Sequence, residues 1–517
     1  MNIERTKKNF SIATIAIFII IIATPLIFIN RNTEKISTLE NKKLAAFPSM
    51  FATNGGFSKS FFSDFETYIN DNIGFKQETV VFDIATEYKL FNKLKIPNYI
   101  MGKDKNLFYT TNGVDILNYQ GKNKLSESSL NELSQGYSYM QKYFENTGAS
   151  FYMMTIPNKE GVYPELYPKE VLQHSTKSRI DLLTEFIQRN TNINILNVKQ
   201  ALINSKGKDM LYYKNYDCTH WNMNGAFVGY TEIMKEIMKK YPNLDLLKKD
   251  DFIVTSEKSK GSLQHLSNIQ IINNAMKFDD DIYTYTLKLG YQARLSEKLP
   301  EGLELDANDK CFYYINKNKS GMPKIIIVGD SYIYSFLLPI FAESFSELYF
   351  INFKSAQELM YLQDKVNADI VLYEFVERAF NDQIYGELSN FRDTTVENTD
   401  FTKLPIISDS AEFHIDIPAL VNNSITVDQK QMKQDIYGWA IDIKAKDLLG
   451  DLYLQVGDKY YKSQSFDRPD LKDEKYLKAG FKFMVPTKEL IKAKNIRFFM
   501  ISNDKTYQYK PVDVLIK

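Results

Sequence analysis

Two separated stretches hold residue types that together could transfer an acyl group. In Lys324-Ile325-Ile326-Ile327-Val328-Gly329-Asp330-Ser331-Tyr332, a serine follows four consecutive β-branched residues and a Gly-Asp pair. In Tyr216-Asp217-Cys218-Thr219-His220-Trp221-Asn222, a carboxylate stands three residues ahead of an imidazole. A serine hydroxyl becomes a useful nucleophile only with a base in hydrogen-bond reach and a carboxylate that fixes the base's tautomer. Ser331, His220 and Asp217 supply one of each. The intermediate would carry an oxyanion, which backbone N–H groups at a strand-to-helix corner can hold. Taken singly, each stretch also fits a plainer reading: Asp330 or Ser331 as a helix N-cap, and His220 as a satisfied histidine at a helix entry. The chain has only four histidines, and His174, His265 and His414 lack comparable surroundings.

The flanking patterns say what must position these groups. Ile325 to Val328 reads as a strand buried on both faces, and Tyr334 to Phe345 is apolar and long enough for the helix after it. Leu348 to Phe353 and Ile370 to Phe375 repeat the apolar run, with room for one helix between successive runs, as parallel strands with right-handed crossovers require. Ligands of such open α/β sheets bind at the C-terminal strand edge. Ser150 to Ile156, ending in Pro157-Asn158-Lys159, and Ile193 to Val198 are further strands of this kind. The run Tyr373-Glu374-Phe375-Val376-Glu377-Arg378 brings Glu374, Glu377 and Arg378 to the same edge. Arg378 suits an acyl carbonyl or a sugar hydroxyl, and equally an ion pair with a nearby Glu. After His220, Ala226, Phe227, Tyr230, Ile233, Met234, Ile237 and Met238 recur at helical spacing, with Asn222 or Asn224 as cap. Ser126 to Asn146 reads as an amphipathic helix, Phe57 to Leu94 as helical and rich in aromatics, and Tyr283 to Leu287 as an edge strand or hairpin.

The whole chain sets the bounds. Its 517 residues suffice for two folded units beyond a membrane segment, and 64 basic against 64 acidic residues leave no field that would favour nucleic acid. Cys218 and Cys311, the two cysteines, fit no metal spacing; they allow one disulfide, but Cys218 reads more simply as a free, part-buried thiol. Phe10 to Ile29 is almost continuously apolar behind Arg5, Lys7 and Lys8, long enough to span a bilayer, whereas a signal-peptide core runs about 7 to 15 residues. An uncleaved signal-anchor with the remainder extracytoplasmic follows, a cleaved signal being the alternative. From Asn398 to Ser410 the sequence turns polar, and short strands with Gly-Asp and Asn-Asp turns then suggest a β-sandwich. Trp439, Tyr453, Tyr460, Tyr461 and Tyr476 are candidates for a sugar-binding platform or for its core. The expected division is 1–30 anchor, 31–400 catalytic α/β unit and 405–517 sandwich.

Ser37-x-x-Glu-Asn-Lys-x-Leu-Ala, Gly102-Lys-Asp-x-x-Leu-Phe-Tyr109, Pro157-Asn-Lys159, Asp217-Cys-Thr-His-Trp-Asn222 and Gly329-Asp-Ser-Tyr332 occur in that order. The ordered set, over roughly residues 36 to 380, resembles the SGNH-hydrolase-like polysaccharide O-acetyltransferases of the alginate type, the AlgJ and AlgX family. The resemblance implies a flavodoxin-like three-layer α/β/α domain with permuted motif order, since ordinary SGNH hydrolases place the serine block first. It implies an extracytoplasmic enzyme without a cofactor. This enzyme forms an acyl-serine and passes acetyl to a polysaccharide hydroxyl, with a membrane-bound O-acyltransferase as partner supplying the donor. Carried over by motif, Ser331 is nucleophile, His220 base and Asp217 its orienting carboxylate, with Tyr332, Trp221, Arg378, Asn158 and Lys159 as candidate substrate-binding residues. The alginate proteins carry Asp-x-His, whereas Asp217 lies three before His220, as in ordinary SGNH hydrolases. A carbohydrate acetyl-esterase and a non-catalytic polysaccharide-binding or export factor remain the alternatives.

Overall fold

Ile325, Ile326, Ile327 and Val328 are fully buried. Their strand is the centre of a seven-stranded sheet in the computed structural model, which describes residues 2–32, 36–37, 42–52, 55–91, 94, 98–111, 113–175, 177–259, 278–305, 310–380, 394–471 and 473–517. In chain order the elements that matter are helices α1 (Asn2–Ile27), α2 (Phe61–Asn72), α3 (Lys76–Phe91) and α4 (Glu127–Asn146), strand β1 (Ser150–Ile156), helix α5 (Arg179–Asn190), strand β2 (Asn194–Asn197) and helix α6 (Met223–Met238). Then come β3 (Arg294–Leu295), β4 (Cys311–Ile315), β5 (Lys324–Gly329), α7 (Ser331–Tyr334), α8 (Leu338–Ala342), β6 (Glu347–Asn352), α9 (Leu359–Val366) and β7 (Ile370–Val376). The sheet order is β2-β1-β7-β5-β6-β4-β3.

The five strands from β2 to β6 pair in parallel, with β4 and β3 added antiparallel at the edge. Apolar side chains pack both faces: α6 and α8 lie over Ile325 and Ile327, and α4, α5 and α9 over Ile326 and Val328. Each fully buried aliphatic side chain in these layers contributes about 1.5–3 kcal/mol by leaving water. The parallel core expected from the three apolar runs is present, and β4 is an addition that its Cys-Phe-Tyr-Tyr-Ile sequence did not announce.

The single helix expected over Tyr334 to Phe345 is two short ones. Leu337 breaks from the first, and α8 starts afresh with Pro339 in its opening turn. Proline has no N–H to continue an existing helix, and it is well placed where the first N–H groups are unpaired anyway. The Phe57 to Leu94 region divides into α2 and α3 at a turn holding Gly74 and Phe75, the latter at φ 61°. Tyr283 to Leu287 belongs to a strand, Asp280–Leu287, that pairs antiparallel with Phe252–Ser259.

Beyond residue 394 an eight-stranded and a five-stranded sheet share one core, in which Ile436, Phe481 and Phe483 meet Leu454, Phe498 and Tyr509. This is a sandwich. Its tyrosines do not line up as a platform: Tyr461 is core, while Tyr453 stacks on Phe401 at 3.8 Å with Tyr460 against the same ring. Trp439 stands on the other sheet beside His414. Aromatic residues here cover the segment leading into the sandwich, which buries apolar area that solvent would otherwise reach.

Candidate functional site

The serine corner is built by Gly329 and Asp330. A Cβ at Gly329 would stand 2.6 Å from Glu374 Oε2, so glycine leaves the room that this buried carboxyl occupies. Asp330 is extended, and its Oδ1 accepts the Tyr332 N–H at 2.8 Å, capping α7, while its Oδ2 accepts the Val376 N–H at 3.2 Å. The expected cap is therefore Asp330. Its capping leaves the Ser331 N–H, which donates to no other group among the described residues.

The histidine loop is equally local in origin. Asp217 Oδ1 accepts the Thr219 N–H at 3.0 Å, an Asx turn that points His220 back over its own carboxylate. Asn222 caps α6 by accepting N–H bonds from Asn224 and Gly225. The two loops meet 111 residues apart in sequence: His220 Nε2 lies 2.6 Å from Ser331 Oγ, and His220 Nδ1 lies 2.7 Å from Asp217 Oδ2. Thr219 Oγ1 lies within 2.5 Å of Asp217 Oδ1 and 2.8 Å of His220 Nδ1. Ser331 and His220 are half-buried, and Asp217 is buried.

Two of the candidate substrate-binding residues lock the loops together instead of facing solvent. Trp221 is fully buried and donates from Nε1 to the Tyr332 carbonyl at 3.1 Å. Tyr332 donates its hydroxyl to the Thr219 carbonyl at 2.7 Å and accepts from Arg378 Nη1 at 3.0 Å. Arg378, half-buried, lies over the Tyr332 ring, and although burial opposes its charge, Tyr332 and Asp330 hold it firmly protonated. Its partner is thus a tyrosine hydroxyl, and among the described residues it makes no direct carboxylate ion pair of the kind the sequence also allowed.

Asn158 and Lys159 are likewise interior. Lys159 Nζ donates to the carbonyls of Leu107, Tyr213 and Lys214 at 3.0, 2.9 and 3.0 Å, tying the edge of β1 to the chain before the histidine loop. Burial pulls its pKa down to about 7, yet three acceptors match the three N–H bonds of an ammonium. Asn158 is ringed by carboxyls, with its N–H on Glu377 and its Nδ2 on Asp115 and Glu160. Burial first, then the charges of Asp115 and Glu377, push Glu160 up to about 8. Cys218 is free and buried, and burial with the Asp217 charge raises its thiol to about 12, which keeps it protonated and unreactive.

Glu374 is the participant that sequence reasoning located without giving it a part. It is fully buried beneath the serine corner, and burial with the charge of Asp330 keeps its carboxyl well above the usual range. The signal was a lone carboxylate inside an otherwise apolar strand. Phe336, 5.9 Å from the His220 ring, gave no signal. Of the remaining histidines, His174 and His414 are exposed, and His265 lies outside the described residues, as do Thr38 to Asn41 of the motif after the apolar helix.

A parallel-centred sheet with Ser331 at the C-terminal edge of its central strand defines an SGNH hydrolase-like α/β protein. Residues 99–299 match the family model of the SGNH hydrolase-like domain of the acetyltransferase AlgX. The match includes Asp217 and His220, and Ser331 lies beyond it. No curated protein matches the sequence. Similar solved structures include Bacillus cereus PatB1, with TM-score 0.41 and 14% identity over 54% of this chain and 96% of that one. The O-acetyltransferase domain of Pseudomonas putida AlgJ aligns with TM-score 0.37 and 17% identity over 57% and 100%. Pseudomonas aeruginosa AlgX aligns with TM-score 0.33 and 12% identity over 81% and 90%.

Proposed function

We propose that this chain is an extracytoplasmic O-acetyltransferase that moves an acetyl group through an acyl-serine to hydroxyls of a cell-surface or secreted polysaccharide. The observation that carries the reading is the continuous line Asp217 Oδ2, His220 Nδ1, His220 Nε2, Ser331 Oγ, with 2.7 and 2.6 Å between hydrogen-bonded atoms. His220 takes the Ser331 proton as Oγ attacks the acetyl carbonyl, and Asp217 stabilises the imidazolium that forms. The Ser331 N–H donates to the oxyanion, and the protonated Arg378 adds positive charge to the same edge. Collapse of the intermediate returns the proton to the departing oxygen of the donor. A sugar hydroxyl, deprotonated by His220, then attacks the acyl-enzyme, and as the acyl–Oγ bond breaks Ser331 takes the proton back from His220. No cofactor enters either step.

Apolar helix α1 supports the extracytoplasmic part of the reading, because Lys7–Ile27 is long and apolar enough to cross a membrane and is wholly unburied. A membrane-bound O-acyltransferase would then supply the donor. Water in place of the sugar gives an acetyl-esterase with the same three residues. Intact-mass measurement with an activated acetyl ester tests the scheme. The expected result is an acetyl adduct on the parent chain, absent from Ser331→Ala, that is discharged faster when glycan is added. Discharge at one rate with and without glycan would make the protein an esterase. Glycan binding with no adduct would make it a binding factor.

A further inference from the structure

The apolar helix α1 does not stand apart from the folded chain. Its last turn is bonded to the corner between α2 and α3: Gly74 N–H donates to the Pro25 carbonyl at 2.9 Å and Asn30 N–H to the Asn72 carbonyl at 2.8 Å. The Asn30 side chain reaches Asn72 Oδ1 at 2.7 Å, and the rings of Phe28 and Phe75 meet edge-on at 5.2 Å. A Cβ at Gly74 would strike the Phe28 carbonyl at 2.7 Å, so the contact is close. Lys7–Ile27, about 31 Å long at 1.5 Å per residue, matches a hydrocarbon layer of about 30 Å. Pro25 then lies at the hydrocarbon boundary, and the corner bonded to it lies there too.

From that corner α3 presents two opposite faces. Val81, Ile84 and Tyr88 turn inward and share a cluster with Leu107 and Cys218. On the other side Phe75, Thr79 and Phe82 are exposed, two helical turns separating the two phenylalanines. Phe82 is 72% exposed and Leu90, on the same side, 69%. Phe75 keeps its edge contact with Phe28, while Phe82 and Leu90 leave most of their apolar area in water, which costs free energy. Lys76 and Lys89 flank it, long enough to reach headgroups, while Glu78 and Asp83 on its sides oppose deep insertion.

We infer that α3 lies on the phospholipid surface, with Phe75, Phe82 and Leu90 in the interfacial layer. The inference rests on the reading of Lys7–Ile27 as a membrane span. Its consequence reaches the chemistry, because Cys218, the residue between Asp217 and Thr219, sits on the inward face of the same helix. The histidine loop is thereby held close to the membrane surface, where an acyl group delivered through the bilayer would emerge.

The test uses the full chain in phosphatidylcholine nanodiscs whose acyl chains are brominated at shallow or deep positions. Phe82→Trp, Leu90→Trp and Phe18→Trp are each compared with the parent, so that the emission of Trp221 and Trp439 is subtracted. Added emission at 82 and 90 that is blue-shifted and quenched best by shallow bromines, with position 18 quenched best by deep ones, is the expected result. Quenching at 18 but at neither 82 nor 90 would overturn the docking while leaving the span intact. Failure at all three positions would remove the span and the docking together.

Discussion

The backbone N–H of Asp330 donates to Glu374 Oε2 at 3.0 Å, so the residue ahead of Ser331 is fastened to a carboxyl that solvent does not reach. The two acids divide their roles by environment. Burial and the Asp330 charge keep the proton on Glu374. Burial raises Asp330 as well, but the N–H groups of Tyr332 and Val376 and the Arg378 charge favour its ionised form. A neutral Glu374 avoids a second charge beside Asp330, and its Oε2 fixes the peptide from which the Ser331 N–H projects.

Gly329→Ala puts a methyl group 2.6 Å from Glu374 Oε2. The fully buried carboxyl has little room to retreat, so a loss of about 1–3 kcal/mol in stability is expected. Acylation of Ser331 should fall further than stability alone explains. Denaturant melts together with single-turnover acylation rates check both.

Asp217→Asn keeps the shape of the loop with its oxygen on the Thr219 N–H, and its NH2 then donates to His220 Nδ1 where the carboxylate had accepted. The imidazole then loses the tautomer that presents an acceptor to Ser331. Turnover should drop by about 10⁴ with the fold intact, measured as acetyl release from an activated ester alongside circular dichroism.

Tyr332→Phe removes the hydroxyl that joins the Thr219 carbonyl to Arg378. Leaving these two groups unpaired should cost about 1–3 kcal/mol. Because both loops remain otherwise tied by Trp221, the acylation rate should fall about tenfold, a loss far smaller than for Asp217→Asn. A fall as large as that of Asp217→Asn would place the Tyr332 hydroxyl in the chemistry itself.

Glu160 has a definite pH signature. Below pH 4.5 both folded and unfolded chains hold its proton, and between 4.5 and about 8 only the folded chain keeps it, so stability falls as pH rises through that window. The cost accumulates at roughly 1.4 kcal/mol for each pH unit crossed. Glu160→Gln is neutral throughout and retains an oxygen for Asn158 Nδ2. Its melting temperature should therefore gain on the parent's steadily from pH 5 to pH 8, with the two closest at the acid end.

The parts of this protein that were legible in the sequence are those where one local rule decides. Apolar runs marked β1, β5 and β7, the pair Asn222 and Asn224 marked the start of α6, and Ser126 marked that of α4. The residue types at positions 217, 220 and 331 named the chemistry before any geometry. Pro339 could have foretold the break between α7 and α8, but the apolar count around it pointed to a longer helix. The buried fates of Trp221, Tyr332, Asn158 and Lys159 were not legible, because the same residue types serve at an open edge as ligand contacts and at a closed one as fasteners. Only their neighbours distinguish the two.

What the sequence determined by itself was most of the parallel strands and helices and the residue types of the three candidate groups, since propensity, capping and burial act over a few residues. The tertiary structure decided that the groups meet. Sheet order brings the β5 corner beside the end of β7, and Trp221 and Tyr332 hydrogen-bond across a separation of 111 residues to seat the imidazole on the hydroxyl. Such a contact depends on a sub-ångström register that no local pattern encodes. It exists because both loops are buried against one another, and each must satisfy the other's polar groups.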